Sequence, residues 1–284
     1  MFFRPRIQRS HKRILEIGPG ALPHPLSDVW LDYDFDDAER KLQSGGAEPA
    51  RGRICVFYSG RRFPFRDHAF DYVIASHVIE HVAWDALPDF ISEMQRVAKA
   101  GYIELPRWPY ELFFDVNEHV STGHVQDNML TLYRKTRRMP GADLRRVVLG
   151  EHRPLRDYLQ EYRSLFFCGL EWESQLDVKL VEDAYPLELD EVALTERMRA
   201  ELAESNNTPL MQSNNTGFVS RLTGKLKRML RAKPGLSREQ LLPLLENPQN
   251  GQAINEQLCD TNGRPVFRER DGDLVLESQA ALQR

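Results

Sequence analysis

From Arg13 to Pro106 short aliphatic and β-branched runs alternate with polar stretches, the pattern of a parallel sheet built from crossover units. The runs predict strands at Ile14–Ile17, Val29–Asp32, Ile54–Phe57, Tyr72–Ala75 and Tyr102–Leu105. Between the last two, Ala86–Ala98 carries Leu87, Phe90, Ile91, Met94 and Val97 at helical spacing, which predicts a helix with one face on the sheet. Beyond Pro106 the pattern blurs until Leu176–Val181, where alternation predicts a further, antiparallel strand. Residues 204–217 are polar, repeat Asn-Asn-Thr and read as a surface linker. Phe218–Lys233 then places Phe218, Leu222, Leu226, Met229 and Leu230 on one helical face with Arg and Lys mostly elsewhere. Such a basic amphipathic helix could lie on an anionic membrane surface as a peripheral contact, or dock on its own protein. The tail reads as a short helix followed by small strands around Asn262-Gly263 and Asp271-Gly272, both hairpin-turn signals. The expected organisation is an α/β domain over residues 1–200, a linker with the basic helix over 201–235, and a small β-rich appendage over 236–284.

Size and composition narrow the class. The 284 residues suffice for one α/β domain and an appendage, and the apolar share of 41% suffices for a packed core. No run approaches the roughly 18 consecutive apolar residues of a membrane span. The basic start, Met1–Arg13, lacks the apolar stretch of a secretory signal, so the expected compartment is the cytoplasm. Three widely spaced cysteines, Cys55, Cys168 and Cys259, suit neither a disulfide framework nor a close-spaced thiolate metal site. A net charge of −4 gives no overall pull toward nucleic acid.

The first chemical signal is Glu16-Ile17-Gly18-Pro19-Gly20, which directly follows the first strand. A glycine pair there lets backbone approach a ligand closely, or simply makes a turn. The third glycine of a dinucleotide fingerprint is missing, and Pro23 and Pro25 stand where a helix should open. Without a helix amino terminus to hold a pyrophosphate, a cofactor lacking phosphate fits better. The second strand ends at Asp32, a carboxylate at the carboxyl edge of the sheet that could accept both hydroxyls of a ribose.

The stretch Phe63-Pro64-Phe65 to Asp71-Tyr72-Val73 and on to Ser76-His77-Val78-Ile79-Glu80-His81 resembles class I S-adenosylmethionine-dependent methyltransferases, in which a Pro-Phe loop precedes an Asp-x-Val strand and a Ser-x-x-x-Glu-His turn. With the glycine turn and Asp32, the resemblance covers about residues 13 to 106. It implies a Rossmann-like sheet, parallel with an antiparallel strand, that binds S-adenosylmethionine. Glu16, Gly18 and Gly20 would border the methionine part, Asp32 would take the ribose, and backbone near Ser76 would face the sulfonium. Methyl transfer needs mainly alignment, because the sulfonium is already an activated leaving group. One departure is Tyr58-Ser59 where relatives usually carry Gly-Asp, whose acid meets the adenine amino group. Ser59 can still accept one hydrogen bond there.

His77, Glu80 and His81 share one helical face by spacing, and His119 could complete a cluster. The arrangement is similar to the Glu-x-x-Glu-His metal site of small-RNA 2′-O-methyltransferases and of the ubiquinone-pathway O-methyltransferase, with His77 replacing the first glutamate. The cluster could bind a divalent ion, act through a neutral histidine as general base, or brace the rim of the site. The catalytic assignment made from sequence is His77 and His81, with no metal. The aromatics Trp108 and Tyr110, with Glu104 and Glu111, would lie beside the acceptor pocket in such a fold. The tail faintly resembles the small zinc-binding activator protein of tRNA and release-factor methyltransferases, but keeps only Cys259 of its two Cys-x-x-Cys pairs.

The resulting expectation is methyl transfer to oxygen or nitrogen of a small-molecule, glycan or lipid-linked acceptor. An RNA acceptor is the alternative, although the basic and aromatic interleaving of a nucleic-acid platform is not seen. A third possibility is a catalytically silent binding module that keeps the fold.

Overall fold

The computed structural model describes residues 3–8, 10–35, 50–136, 138, 144–145, 147–148, 161–182, 191–207 and 234–277. The expected basic helix at Phe218–Lys233 lies outside them. Among the described residues no helix is long and apolar enough to cross a membrane. The chain divides into two compact units, the first comprising Met1–Arg6, Ser76–Leu87 and Tyr102–Asn215, the second Ile7–Ala75, Pro88–Gly101 and Thr216–Arg284.

The second unit is built on strands β1 (Ile14–Ile17), β2 (Val29–Tyr33), β3 (Cys55–Tyr58) and β4 (Tyr72–Ser76, whose last residue belongs to the first unit). They run parallel in the order β3-β2-β1-β4. β1 and β3 are buried along their whole length, as expected where a parallel sheet is covered on both faces. Helix α1 (Leu87–Val97) buries Phe90, Ile91, Met94 and Val97 as its spacing predicts, and the Phe90 ring meets Phe63 edge-on at 5.4 Å.

The tail does not stand apart as an appendage. Strand β10 (Phe267–Arg270) and strand β11 (Asp273–Leu276) form the predicted hairpin at Asp271-Gly272, and β11 lies parallel to β3, so the sheet order begins β10-β11-β3. The reason is local chemistry. Asp273 Oδ1 accepts the Cys55 N–H at 2.8 Å, and Val275 joins Trp30, Cys55 and Phe57 in one apolar cluster. Upstream, Leu245 pairs with Phe65, and Glu246 receives Arg62 at 2.6 Å and Arg96 at 3.5 Å. Arg96 is the hub, donating to the Phe63 and Phe65 carbonyls, to Glu93 and to Asp67.

In the first unit β5 (Ala100–Pro106, of which Tyr102 onward lies here) neighbours β8 (Phe167–Glu173). A separate three-stranded sheet has the order β6 (Ser121–Gln126), β7 (Met129–Arg134), β9 (Val178–Val181). The segment Leu176–Val181 therefore differs from its expected form. It becomes a strand only from Val178, and it runs parallel to β7. Within the main sheet, β10 runs antiparallel to β11. The β6–β7 hairpin turns at Asp127-Asn128, whose φ of 50° and 62° are those of a primed turn matched to strand twist.

Candidate functional site

In the second unit the carboxyl ends of β1, β2 and β3 carry the residues expected at a cofactor. Gly18 and Gly20 adopt φ of 57° and 53°, a region that disfavours a side chain, and a Cβ on Gly20 would meet no atom within 4 Å. The turn is thus both strained for other residues and open above. The Gly18 N–H donates to the Leu31 carbonyl at 2.9 Å, which ties the turn to the end of β2. Asp32 sits at that end opposite Phe57 of β3, its Oδ1 accepting the Tyr33 N–H. Ser59, one residue past β3, is exposed. Glu16 is placed differently from expectation. It is buried and both its oxygens lie 2.9 Å from the His24 N–H, so its carboxylate fixes the loop after the glycine turn. No helix follows that turn, as Pro23 and Pro25 predict.

The first unit holds the histidine cluster. His77 follows β4 with φ of 58°, an unusual backbone for a non-glycine residue, and is held there by its N–H donating to the Glu104 carbonyl at 2.7 Å. Its ring lies between two carboxylates, Nδ1 at 3.2 Å from Glu80 and Nε2 at 3.1 Å from Glu104. Glu104 also accepts from Ser76 Oγ at 3.1 Å and Tyr102 Oη at 2.6 Å. Burial pulls the His77 pKa down, but hydrogen bonds and charge from Glu104 and Glu80 override it and raise it to about 9. Burial opposes ionisation of Glu104, yet His77 and Tyr102 hold it down at about 2. His77 is therefore a cation at neutral pH with both ring nitrogens engaged. That arrangement braces the turn and does not suit the proton acceptor expected of it.

His81 is the contrast. Burial lowers its pKa, the neighbouring His119 adds to this, and the Glu80 charge offsets it only in part, so the ring is neutral at pH 7. Its Nδ1 is buried without a hydrogen-bond partner, and so is Glu80 Oε2. The His119 ring lies 4.8 Å from that of His81, and the Val120 N–H donates to the Glu80 carbonyl at 2.7 Å, which brings this segment alongside. His119 Nδ1 is engaged by buried Glu111 at 2.6 Å. Lys135, also buried, bridges Glu111 and Asp115 at 2.7 Å each. Sequence reasoning missed Lys135, and it placed Glu104 and Glu111 beside the acceptor pocket without giving either a role. Glu104 had left a signal, an acid inside a strand buried end to end.

Glu80, His81 and His119 each offer a ligand atom, all within 4.8 Å of one another. Two orphaned buried atoms and a histidine oriented by a carboxylate fit a divalent cation, which would polarise an acceptor hydroxyl. The sequence reading named these residues as a possible divalent-ion cluster; the structure brings Glu80, His81 and His119 together and leaves His77 out of the group.

The His77 geometry sets a pH dependence. Its pKa is raised above the unfolded value of about 6.5. The stability it contributes is complete below pH 6.5 and lost as pH rises through about 9. The urea midpoint of the native chain is expected to fall over that interval, and His77→Gln to remove most of the fall.

Residues 31–103 match the family model described as a methyltransferase domain. No curated protein matches the chain. Among solved structures it is similar to a protein from Pyrococcus horikoshii OT3, at 15% identity and a TM-score of 0.30, covering 50% of this chain and 74% of that one. It is also similar to a SAM-dependent methyltransferase from Archaeoglobus fulgidus (18% identity, TM-score 0.29, covering 50% of this chain and 62% of that one). A third is a SAM-dependent methyltransferase from Methanosarcina mazei (20% identity, TM-score 0.27, covering 43% of this chain and 69% of that one). Likenesses of this size say nothing of substrate. Residues 31–103 thus resemble a methyltransferase domain, carried on a largely parallel α/β sheet.

Proposed function

We propose that this chain is an S-adenosylmethionine-dependent methyltransferase that places the methyl group on a hydroxyl oxygen of a small-molecule, glycan or lipid-linked acceptor. The observation that carries the choice is His81, buried, neutral at pH 7 and with Nδ1 unpartnered beside the orphaned Glu80 Oε2. A hydroxyl is a poor nucleophile until its proton begins to leave, whereas a neutral amine attacks with a lone pair already available. A neutral imidazole therefore matters most for oxygen. When bound, the donor would supply an activated methyl group, and His81 Nδ1 would take the acceptor hydroxyl's proton. The Glu80 carboxylate stabilises the charge that His81 acquires. On this reading Gly18, Gly20 and Asp32 hold the donor. Cys55, Cys168 and Cys259 form no disulfide, which suits a reducing compartment, so the cytoplasm is part of the proposal.

The test is a panel of hydroxyl and amine acceptors, free, glycan-borne and lipid-linked, incubated with donor labelled in its methyl group. Mass spectrometry then locates the label. Label on oxygen is expected, with activity undiminished by a chelator, because a cation on His81 Nδ1 would occupy the nitrogen that takes the proton. Label found only on nitrogen would overturn the proposal. Label in RNA, with an affinity falling steeply with salt as phosphate contacts require, would replace the acceptor class.

A further inference from the structure

The tail strand lies where a ligand of the second unit must pass. β11 is parallel to β3 with Leu274 opposite Val56 and Val275 opposite Phe57, so Leu276 and Glu277 continue alongside Tyr58 and Ser59. All four sit at the carboxyl ends of their strands, the side on which open parallel sheets bind ligands. A nucleoside whose ribose is gripped at Asp32 can extend in two directions along that edge. The Gly18–Gly20 turn after β1 takes one end, and the base falls to the other, past β3 toward β11.

A cleft of about 290 Å³ occupies that place, lined by Ser59, Gly60, Pro248, Gln249, Leu276 and Glu277 among others. Its chemistry suits a purine. Pro248 and Leu276 offer apolar surface to a flat ring, Gln249 carries both a donor and an acceptor, and the Glu277 carboxylate, 3.7 Å from Arg268, is an acceptor for an exocyclic amino group. We infer that Gln249 and Glu277, from the tail, read the adenine edge of the methyl donor and so make the tail part of the cofactor site. This rests on the placement of the donor at Gly18, Gly20 and Asp32.

The experiment is calorimetric titration of the full chain with S-adenosylhomocysteine and with S-inosylhomocysteine, in which the adenine amino group is replaced by oxygen. Gln249→Ala and Glu277→Ala are each expected to weaken S-adenosylhomocysteine about five- to tenfold, one lost hydrogen bond's worth. Binding of S-inosylhomocysteine should stay within about twofold of the native value. Glu277→Gln, which keeps the side chain's size, covers the case in which the alanine variant fails to fold. Asp32→Asn should weaken both ligands alike. Tail variants that bind both ligands like the native chain, while Asp32→Asn weakens both, would overturn the inference and leave the cofactor site standing. Asp32→Asn without effect on either ligand would remove the cofactor placement itself, and the role of the tail with it.

Discussion

Replacing His81 by glutamine is expected to lower kcat by about 10²- to 10⁴-fold, the range of a lost general base, with little change in the binding of S-adenosylhomocysteine. The size follows from the environment. His81 is the histidine that burial keeps neutral, and its Nδ1 is buried without a hydrogen-bond partner, while the ring's bond to the Glu118 backbone is one that glutamine can keep. A residue with a merely structural role would change the unfolding midpoint, and His81→Gln should leave it near the native value. The pH profile supplies the second readout. Because the His81 pKa is lowered, the native rate should hold on the acidic side of neutrality and fall only below the ordinary histidine range. His77→Gln should move stability while its effect on kcat stays far smaller, since His77 is already protonated. Equal losses of kcat in the two variants would contradict the division of roles.

The largest expected effect on stability is at Arg96. Arg96→Ala deletes donors to two backbone carbonyls and takes the guanidinium partner from Glu93, whose side chain is only 10% exposed, while Glu246 keeps Arg62. Removing one partner of a buried ion pair typically costs about 3–5 kcal/mol, because the other charge is left in a poor solvent. Burial opposes the Arg96 charge, but Glu93, Asp67 and Glu246 more than offset it, so the guanidinium is firmly ionised. Urea denaturation of Arg96→Ala should show a midpoint lower by that amount. The double variant Arg96→Ala, Glu93→Gln should recover part of it by neutralising the stranded carboxylate. A loss below about 1 kcal/mol would mean that the network is solvated rather than buried.

Strands whose whole length is apolar were legible from sequence. Ile14–Ile17 matches to the residue, Val29–Tyr33 and Tyr72–Ser76 run one residue further than expected, and Cys55–Tyr58 is shifted by one at both ends, because alternation marks existence better than boundaries. Gly18, Gly20 and Asp32 were readable because each sits at a strand end, where a turn or a lone acid stands out. The β6–β7 hairpin was not, since Ser121-Thr122-Gly123-His124 has the composition of a loop and becomes strand through pairing with Met129–Arg134. The roles of His77 and His81 could not be separated either. Spacing puts both on one face, and what distinguishes them is the carboxylates at 3.1 and 3.2 Å that capture His77 alone.

The placement of β11 beside β3 also dictates how the protein must be made. The bond between Cys55 and Asp273 joins residues 218 positions apart, so the edge of β3 can be covered only after nearly all of the described chain has left the ribosome. Closing so long a loop is entropically slow to initiate, and contacts of this separation delay the final folding step. Until then the nascent sheet presents an apolar strand, Cys55-Val56-Phe57-Tyr58, with an open row of backbone donors and acceptors. Aggregation during synthesis should be concentrated at that strand.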